Sequence, residues 1–180
     1  RNARLDVLNR FDAEKILLAE KTDNKTSDNY VEQWKNAKNY LDRREALDYF
    51  AKNKMAELAQ GLNDPYYNLR LFTLNKLDLN KSMLTPDVLA TVEKMANTEP
   101  NKPVQAKSID ILSKQKDKKY QPLFTKFVGD SSYSVAGSAL DGLSKLDPAK
   151  TYTLAKKYSN DAKGKLGAVV SAAIIAHGTE

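Results

Sequence analysis

The sequence of 180 residues contains no cysteine, a single histidine (His177), seven glycines and six prolines. Without cysteine the chain can form no disulfide scaffold, no catalytic thiol and no thiolate metal site. A single imidazole excludes every motif that needs two, including the His-Glu-x-x-His zinc site. The low glycine and proline content, together with 41% hydrophobic residues, excludes collagen-like and wholly disordered chains. We therefore expect a folded core in which few kinds of catalytic or metal-binding site are possible.

Long apolar runs are also absent. None approaches the roughly 20 residues of a membrane-spanning helix, so we expect no membrane span. Lys and Arg exceed Asp and Glu by 29 to 23, and this net charge of +6 bears on solubility and weak attraction to polyanions rather than on fold. The chain opens with Arg1 and has no signal-peptide pattern, so we expect a processed chain or a piece of a longer protein.

A nine-residue apolar pattern occurs four times, anchored on Leu69, Val104, Val135 and Leu166. Its first, sixth and ninth positions fall on one side of a helix. Small residues within the copies would let a neighbouring helix approach closely: Ala106, Ser108, Gly137, Ala139 and Ala168. A repeat of about 30 to 35 residues predicts helix pairs too small to bury their own apolar faces. The sequence thus predicts an all-α fold, a HEAT- or armadillo-like α-solenoid of antiparallel helix pairs.

An acidic residue lies five positions before each anchor: Asp64, Glu99, Asp130 and Asp161. A carboxylate there is expected at or near the start of a helix, where it accepts hydrogen bonds from free backbone N–H groups. Pro65 and Pro100 follow two of these acids. We expect them at the first helical position, which tolerates proline best.

Partner helices are predicted between the four copies. Residues 85–87 (Thr-Pro-Asp) and 147–148 (Asp-Pro) are typical helix starts, and a third partner helix carries an apolar cluster at residues 123–128. Upstream, residues 42–53 and 54–62 are predicted as a further pair, with Ala46, Leu47 and Phe50 on one face. Residues 29–38 are predicted as an additional helix behind a Thr26/Ser27 cap.

The first 25 residues lack a clear helical period. Leu5, Val7 and Phe11 alternate in part, as in a strand, whereas residues 12–20 would by propensity form a short capped helix. Periodicity alone leaves both alternatives open. The polar residues 20–29 are interpreted as a linker.

Several residues could mark a functional site, and each also has a structural explanation. His177 follows an apolar helical run and precedes Gly178, so we interpret it as the end of a helix rather than as an acid–base catalyst. The lysine-rich run 114–120 is interpreted as a solvated connection rather than a phosphate or nucleic-acid site. Residues 42–45 (Asp-Arg-Arg-Glu) are interpreted as a helix start rather than a recognition site. Four tyrosines are assigned to helix packing rather than base stacking: Tyr49, Tyr66, Tyr152 and Tyr158.

Three segments carry a family resemblance: residues 11–18 (FDAEKILL), 21–26 (KTDNKT) and 40–47 (YLDRREAL). Over nearly its whole length the chain resembles the C-terminal part of bacterial zinc aminopeptidases of the membrane-alanyl-aminopeptidase family. The resemblance implies that residues 1–25 are the last strand or strands of a β-sandwich with a linker. It further implies that residues 26–180 are a HEAT-like helical domain, truncated at its C-terminus.

The functional motifs of that family are Gly-x-Met-Glu-Asn, His-Glu-x-x-His with a further Glu, and a catalytic Tyr, and none can be matched in this chain. We therefore assign no catalytic, cofactor-binding or metal-binding residue here. The resemblance implies that zinc belongs to the catalytic domain of the same parent chain, which removes N-terminal residues from peptides. This segment would then form a wall of the path by which peptide substrates reach that domain.

A second function stays open, namely a free-standing HEAT-like scaffold for protein interaction. We expect no nucleic-acid partner, and a homodimer through an exposed end of the solenoid is compatible with either function. The compartment is undetermined, and a bacterial, extracytoplasmic parent is compatible with the resemblance.

Overall fold

A computed structural model describes residues 25–177 of the chain. This part contains α-helices and short 3₁₀ segments and no strand, which confirms the all-α prediction. The nine α-helices are α1 (Ser27–Asn36), α2 (Tyr40–Lys52), α3 (Tyr67–Leu79), α4 (Pro86–Thr98), α5 (Lys102–Ser113), α6 (Gln121–Phe127), α7 (Tyr133–Ser144), α8 (Pro148–Tyr158) and α9 (Gly164–His177). The 3₁₀ segments are Ala56–Asn63, Lys81–Met83 and Lys118–Tyr120. The strand or helix expected within residues 1–24 lies outside the described residues.

The chain divides into two compact units, residues 1–49 and 50–180, with the boundary inside α2. In the first unit, Thr26 caps α1 as predicted: its hydroxyl accepts a hydrogen bond from the Asn29 N–H, and the Asn29 side chain accepts one from the Thr26 N–H. The reciprocal pair satisfies two N–H groups and starts α1 at Ser27, two residues earlier than predicted. The Tyr49 ring stacks on that of Tyr30 with centroids 3.9 Å apart, so Tyr49 packs within this unit.

The second unit contains four successive helix pairs. The first members are the 3₁₀ segment Ala56–Asn63, α4, α6 and α8, and the second members are α3, α5, α7 and α9. Each second helix packs on its own first member, and successive second helices pack on one another: α3 on α5, α5 on α7 and α7 on α9. The four aligned copies of the sequence pattern are these four second helices. The predicted helical repeat is confirmed.

The core of the second unit follows the predicted pattern. The four anchors are buried, with exposed fractions between 0% and 4%. Ala106, Ser108 and Ala139 are buried as expected, because α5 and α7 have a second helix on each side. Ala168 is exposed instead, because it lies on α9, which ends the described part of the stack.

Gly137 is the point of closest approach between α7 and α9. A Cβ atom at this position would lie 2.6 Å from the Leu166 nitrogen and 2.7 Å from the Lys165 carbonyl carbon. Both are backbone atoms, which cannot rotate aside as a side chain can. The two helices can therefore pack at this distance only around a glycine.

All four predicted acids lie just before the second helices, and the carboxylates of three of them accept a backbone N–H bond. Carboxylate oxygens of Asp64 and Asp130 each accept a backbone N–H bond of 2.8 Å from the residue two positions on, and Glu99 accepts one of 3.1 Å. The fourth acid, Asp161, is exposed, and α9 begins at Gly164 with a positive φ of 53°.

The expectation that Pro65 and Pro100 occupy the first helical position is wrong. The second helices begin two residues later, at Tyr67 and Lys102. The reason is the bond from the acid to the N–H two positions on, which closes a turn around each proline and delays the helix start.

Candidate functional site

A row of paired charges joins the second helices of the second unit. We call it the charge ladder, and it consists of Asp78 on α3, Lys107 and Asp110 on α5 with Lys114 just after it, Asp141 on α7 with Lys145 just after it, and Lys165 on α9. All of its ion pairs except Asp141–Lys145 join different helix pairs, so the ladder follows from the stacking of the repeats.

Asp78 is the most enclosed carboxylate of the ladder, with 10% of its side chain exposed. The Lys107 Nζ lies 2.7 Å from its Oδ2, and the Lys114 Nζ lies 2.6 Å from the same oxygen. Burial opposes ionisation of Asp78, but the hydrogen bonds and charges of the two lysines outweigh it and hold the pKa of this carboxyl below its ordinary value. Asp78 therefore stays charged and fixes the second pair against the first.

The ladder continues through α7 to α9. Lys145 reaches back to the Ser113 hydroxyl at 3.1 Å while pairing with Asp141 at 2.6 Å. Lys165 contacts the Ser138 hydroxyl at 2.9 Å and, beyond it, Asp110 Oδ1 at 2.5 Å. The Lys165 side chain thus ties the fourth pair to both the third and the second.

A second set of ion pairs lies at the turns before the second helices. The Arg70 guanidinium forms a two-pronged pair with Glu99, at 2.6 Å and 3.0 Å, and also donates to the Asp64 carbonyl at 2.8 Å. Lys102 pairs with Asp130 at 2.8 Å. Burial raises the pKa of Asp130, but the Lys102 ammonium and the Ser132 N–H outweigh this and lower it. These bonds repeat the link from one pair to the next near the starts of the second helices.

The charged groups of this surface form a network of mutual contacts. Its carboxylates and ammonium groups are engaged with one another, and no side chain in the ladder is a nucleophile beside a base. Within residues 25–177, no group of three or more metal-binding side chains converges on a common point. The ladder offers a partly exposed polar face whose side chains are held in place before any partner arrives.

His177 is the last residue of α9, as predicted, and Gly178 lies outside the described residues. The exposed imidazole has its ring centroid 6.2 Å from that of Tyr152. It borders an apolar groove of about 430 Å³, lined largely by small residues of α9. Asp141 and Ser144 also line the groove, but the Ser144 hydroxyl donates to the Asp141 carbonyl and the Asp141 carboxylate pairs with Lys145. The position of His177 at the end of α9 fits the structural interpretation of this residue.

The other singled-out segments fall on helix boundaries. The run 114–120 connects α5 to α6, although Lys114 is bound to Asp78 rather than merely solvated. Within the run Asp117 accepts the Lys119 N–H, and Tyr120 is buried. Residues 42–45 lie in the first turns of α2. Of the four tyrosines assigned to packing, all are half-buried.

The charge ladder is the feature that the sequence reasoning missed, although a signal was present. Lys114 and Lys145 both stand ten positions after their anchors, and Asp78 and Ser113 stand nine positions after theirs. A cation in one repeat thus contacts a polar group in the preceding repeat at equivalent positions in both cases. Comparing charged as well as apolar positions of the aligned copies would have shown that these polar positions recur, but not that they lie in contact.

Comparison with known proteins gives no match to a family model and none to a curated protein. The likeness to zinc aminopeptidases therefore rests on the sequence segments quoted above. As for membranes, the helices of the described part are all too short or too polar to cross a bilayer.

Proposed function

We propose that the stack of helix pairs is a non-catalytic scaffold that presents the charge-ladder face to a polypeptide. The observation that carries this proposal is the fixing of the ladder side chains by partners in neighbouring pairs. Side chains that are already ordered lose little conformational entropy when a partner binds. A surface of this kind suits contact with a polypeptide more than it suits a reaction.

In its more specific form, the proposal places this chain within a zinc-dependent aminopeptidase. The segments FDAEKILL, KTDNKT and YLDRREAL support this form, as does the helical repeat that follows them. The scaffold then contacts the catalytic domain of the same parent chain and limits which peptides reach it. Selectivity would come from the shape and charge of the wall, while the zinc chemistry lies in the other domain.

The isolated chain provides the first test. The proposal predicts no hydrolysis of aminoacyl-nitroanilides and no stoichiometric zinc by metal analysis of the pure protein. Reproducible hydrolysis, or one zinc per chain, would contradict a non-catalytic role. Adding zinc to the assay distinguishes a protein that has lost its metal, which would regain activity, from a protein that has no metal site. The proposal predicts no activity with or without added zinc.

The full open reading frame tests the specific form. A domain with a His-Glu-x-x-His motif encoded before Arg1 would support the aminopeptidase parent. An initiator Met directly before Arg1, or a different domain there, would contradict it and favour the free-standing scaffold.

Kinetic measurements on such a parent enzyme test whether this segment restricts which peptides reach the catalytic domain. Asp141→Lys reverses a charge on the ladder face, and we expect it to change kcat/KM for charged peptides of about ten residues while leaving a small aminoacyl-nitroanilide unaffected. The matched control is Asp87→Lys, which makes the same charge reversal at an exposed site on α4, the first member of the second pair. An equal effect of both variants on both substrates would argue against a substrate wall along the second helices.

A further inference from the structure

The positive charge of the chain is concentrated in its second unit. Residues 1–49 contain equal numbers of basic and acidic side chains, so the excess lies beyond them. The ion pairs of the second-helix layer described above nearly balance, since six basic side chains there face five carboxylates. Most of the excess positive charge therefore lies elsewhere in the unit.

A groove on the first-helix side holds part of that charge. It has a volume of about 590 Å³ and lies where α6 faces the start of α8. Three exposed lysines from three different elements line it: Lys118, Lys126 and Lys150. None of the three takes part in a salt bridge within residues 25–177.

Two acidic side chains lie beside the groove lining, and both are engaged by neighbouring groups. Asp117, next to Lys118, accepts the Lys119 N–H and lies 3.9 Å from the Lys119 Nζ. Asp147 caps α8 by accepting the Lys150 N–H at 3.0 Å, and its other oxygen accepts from the Gln121 side chain at 3.1 Å. Its charge offsets only part of the charge of the three ammonium groups. A net positive groove raises the local concentration of anions and favours an anionic partner.

The residue types in the groove narrow the class of anion. The chain has no arginine after Arg70, so the groove lacks the planar, two-pronged group that best recognises phosphate and stacks on bases. No aromatic ring is among the residues that line the groove, and the nearby rings of Tyr120 and Phe124 are buried in the core rather than open to stack on bases. Flexible lysines spread along an open groove fit a row of carboxylates on an extended chain.

We propose that the groove formed by Lys118, Lys126 and Lys150 binds an extended acidic segment of a polypeptide. This site goes beyond the proposed scaffold function, since it uses the first helices rather than the charge ladder. Lys118 belongs to the run that the sequence analysis interpreted as a solvated connection. The groove was not visible in sequence because its other two lysines come from α6 and α8.

The test uses the whole chain and a fluorescein-labelled peptide of about eight glutamates, with binding followed by fluorescence anisotropy. We expect binding at about 20 mM NaCl that weakens at about 200 mM, as the screening length falls from about 20 Å to about 7 Å. The variant Lys118→Glu/Lys126→Glu/Lys150→Glu should lose at least about tenfold in affinity, as expected for reversing three exposed charge contacts.

The matched control is Lys81→Glu/Lys94→Glu/Lys163→Glu, which changes the net charge by the same amount at exposed sites elsewhere. We expect it to weaken binding by no more than about threefold, the effect of long-range charge alone. Equal loss in both variants, or no binding by the unchanged protein at low salt, would overturn the proposal. Circular dichroism and the thermal midpoint check that both variants fold, and Lys→Gln changes at the same three groove positions replace the charge reversals if they do not.

An oligothymidine of equal charge distinguishes the alternative macromolecule. The proposal predicts weaker binding of the oligothymidine than of the glutamate peptide. Tighter binding of the oligothymidine, abolished by the groove variant and kept by the control, would assign the groove to nucleic acid and refute the acidic-peptide proposal.

Discussion

Replacing Gly137 by alanine should force α7 and α9 apart. The new Cβ would lie 2.6 Å from the Leu166 nitrogen, about 1 Å inside an ordinary van der Waals separation. Because the opposing atoms belong to the backbone, the overlap can be relieved only by moving a helix. The variant therefore tests the closest contact of the second-helix layer.

Two opposing effects set the size of the change. Inserting one carbon into a close-packed core costs about 1 to 3 kcal/mol. Alanine in place of glycine within a helix returns about 1 kcal/mol. Because the opposing backbone atoms cannot rotate aside, we expect the insertion cost at the upper end of its range, and Gly137→Ala should lower the free energy of unfolding by about 2 kcal/mol.

Gly142→Ala is the matched control, since it makes the same change in the same helix and gains the same helix propensity. Its Cβ would meet ring atoms of Phe124 at 2.9 Å, and a ring can shift where a backbone cannot. Urea unfolding followed by far-ultraviolet circular dichroism should therefore place Gly137→Ala below Gly142→Ala in stability, with similar m-values. If Gly137→Ala proves as stable as the unchanged protein, or more stable than Gly142→Ala, the described approach of α7 and α9 is wrong.

Three further predictions concern charge, capping and backbone conformation. Because the pKa of Asp78 is held below its ordinary value of 3.8, its stabilising effect is complete above that value and is lost as the pH falls through the lower, folded-state pKa. Asp78→Asn should thus lower stability at neutral pH and flatten this acid-induced loss in urea titrations across pH. Thr85→Ala removes the cap of α4 and should cost about 1 kcal/mol, whereas Thr153→Ala, within α8, should change little by thermal unfolding. Gly164→Ala forces a side chain into positive φ and should cost about 1 kcal/mol, read from the same thermal curves.

The apolar periodicity of the second helices was sufficient to predict their positions and mutual packing. The pattern is reliable there because α5 and α7 are enclosed by neighbours on both sides, so most of their residues are buried and the apolar positions must face the core. Helix starts were predicted less well at Pro65 and Pro100. There the choice between a turn and a first helical residue depended on a side-chain bond to a particular N–H group.

The contacts of the charge ladder and the groove formed by Lys118, Lys126 and Lys150 could not be predicted from the sequence, for a different reason. Asp78 pairs with lysines 29 and 36 positions away, and the chain offers many lysines at comparable separations. Which of them meet depends on the rotation and rise between successive helix pairs. Periodicity fixes the inward side of each helix, but it does not fix how one pair is turned against the next.

The most direct test of the stacked helix pairs is a double-mutant cycle between Arg70 on α3 and Glu99, which lies in the turn before α5. Their side chains are 16% and 6% exposed and form a two-pronged ion pair across 29 positions of sequence. Arg70→Met, Glu99→Gln and the double variant should give a coupling free energy of about 1 to 3 kcal/mol by urea unfolding. A coupling near zero would mean that consecutive pairs do not meet in this register, and would contradict the stack on which the scaffold proposal depends.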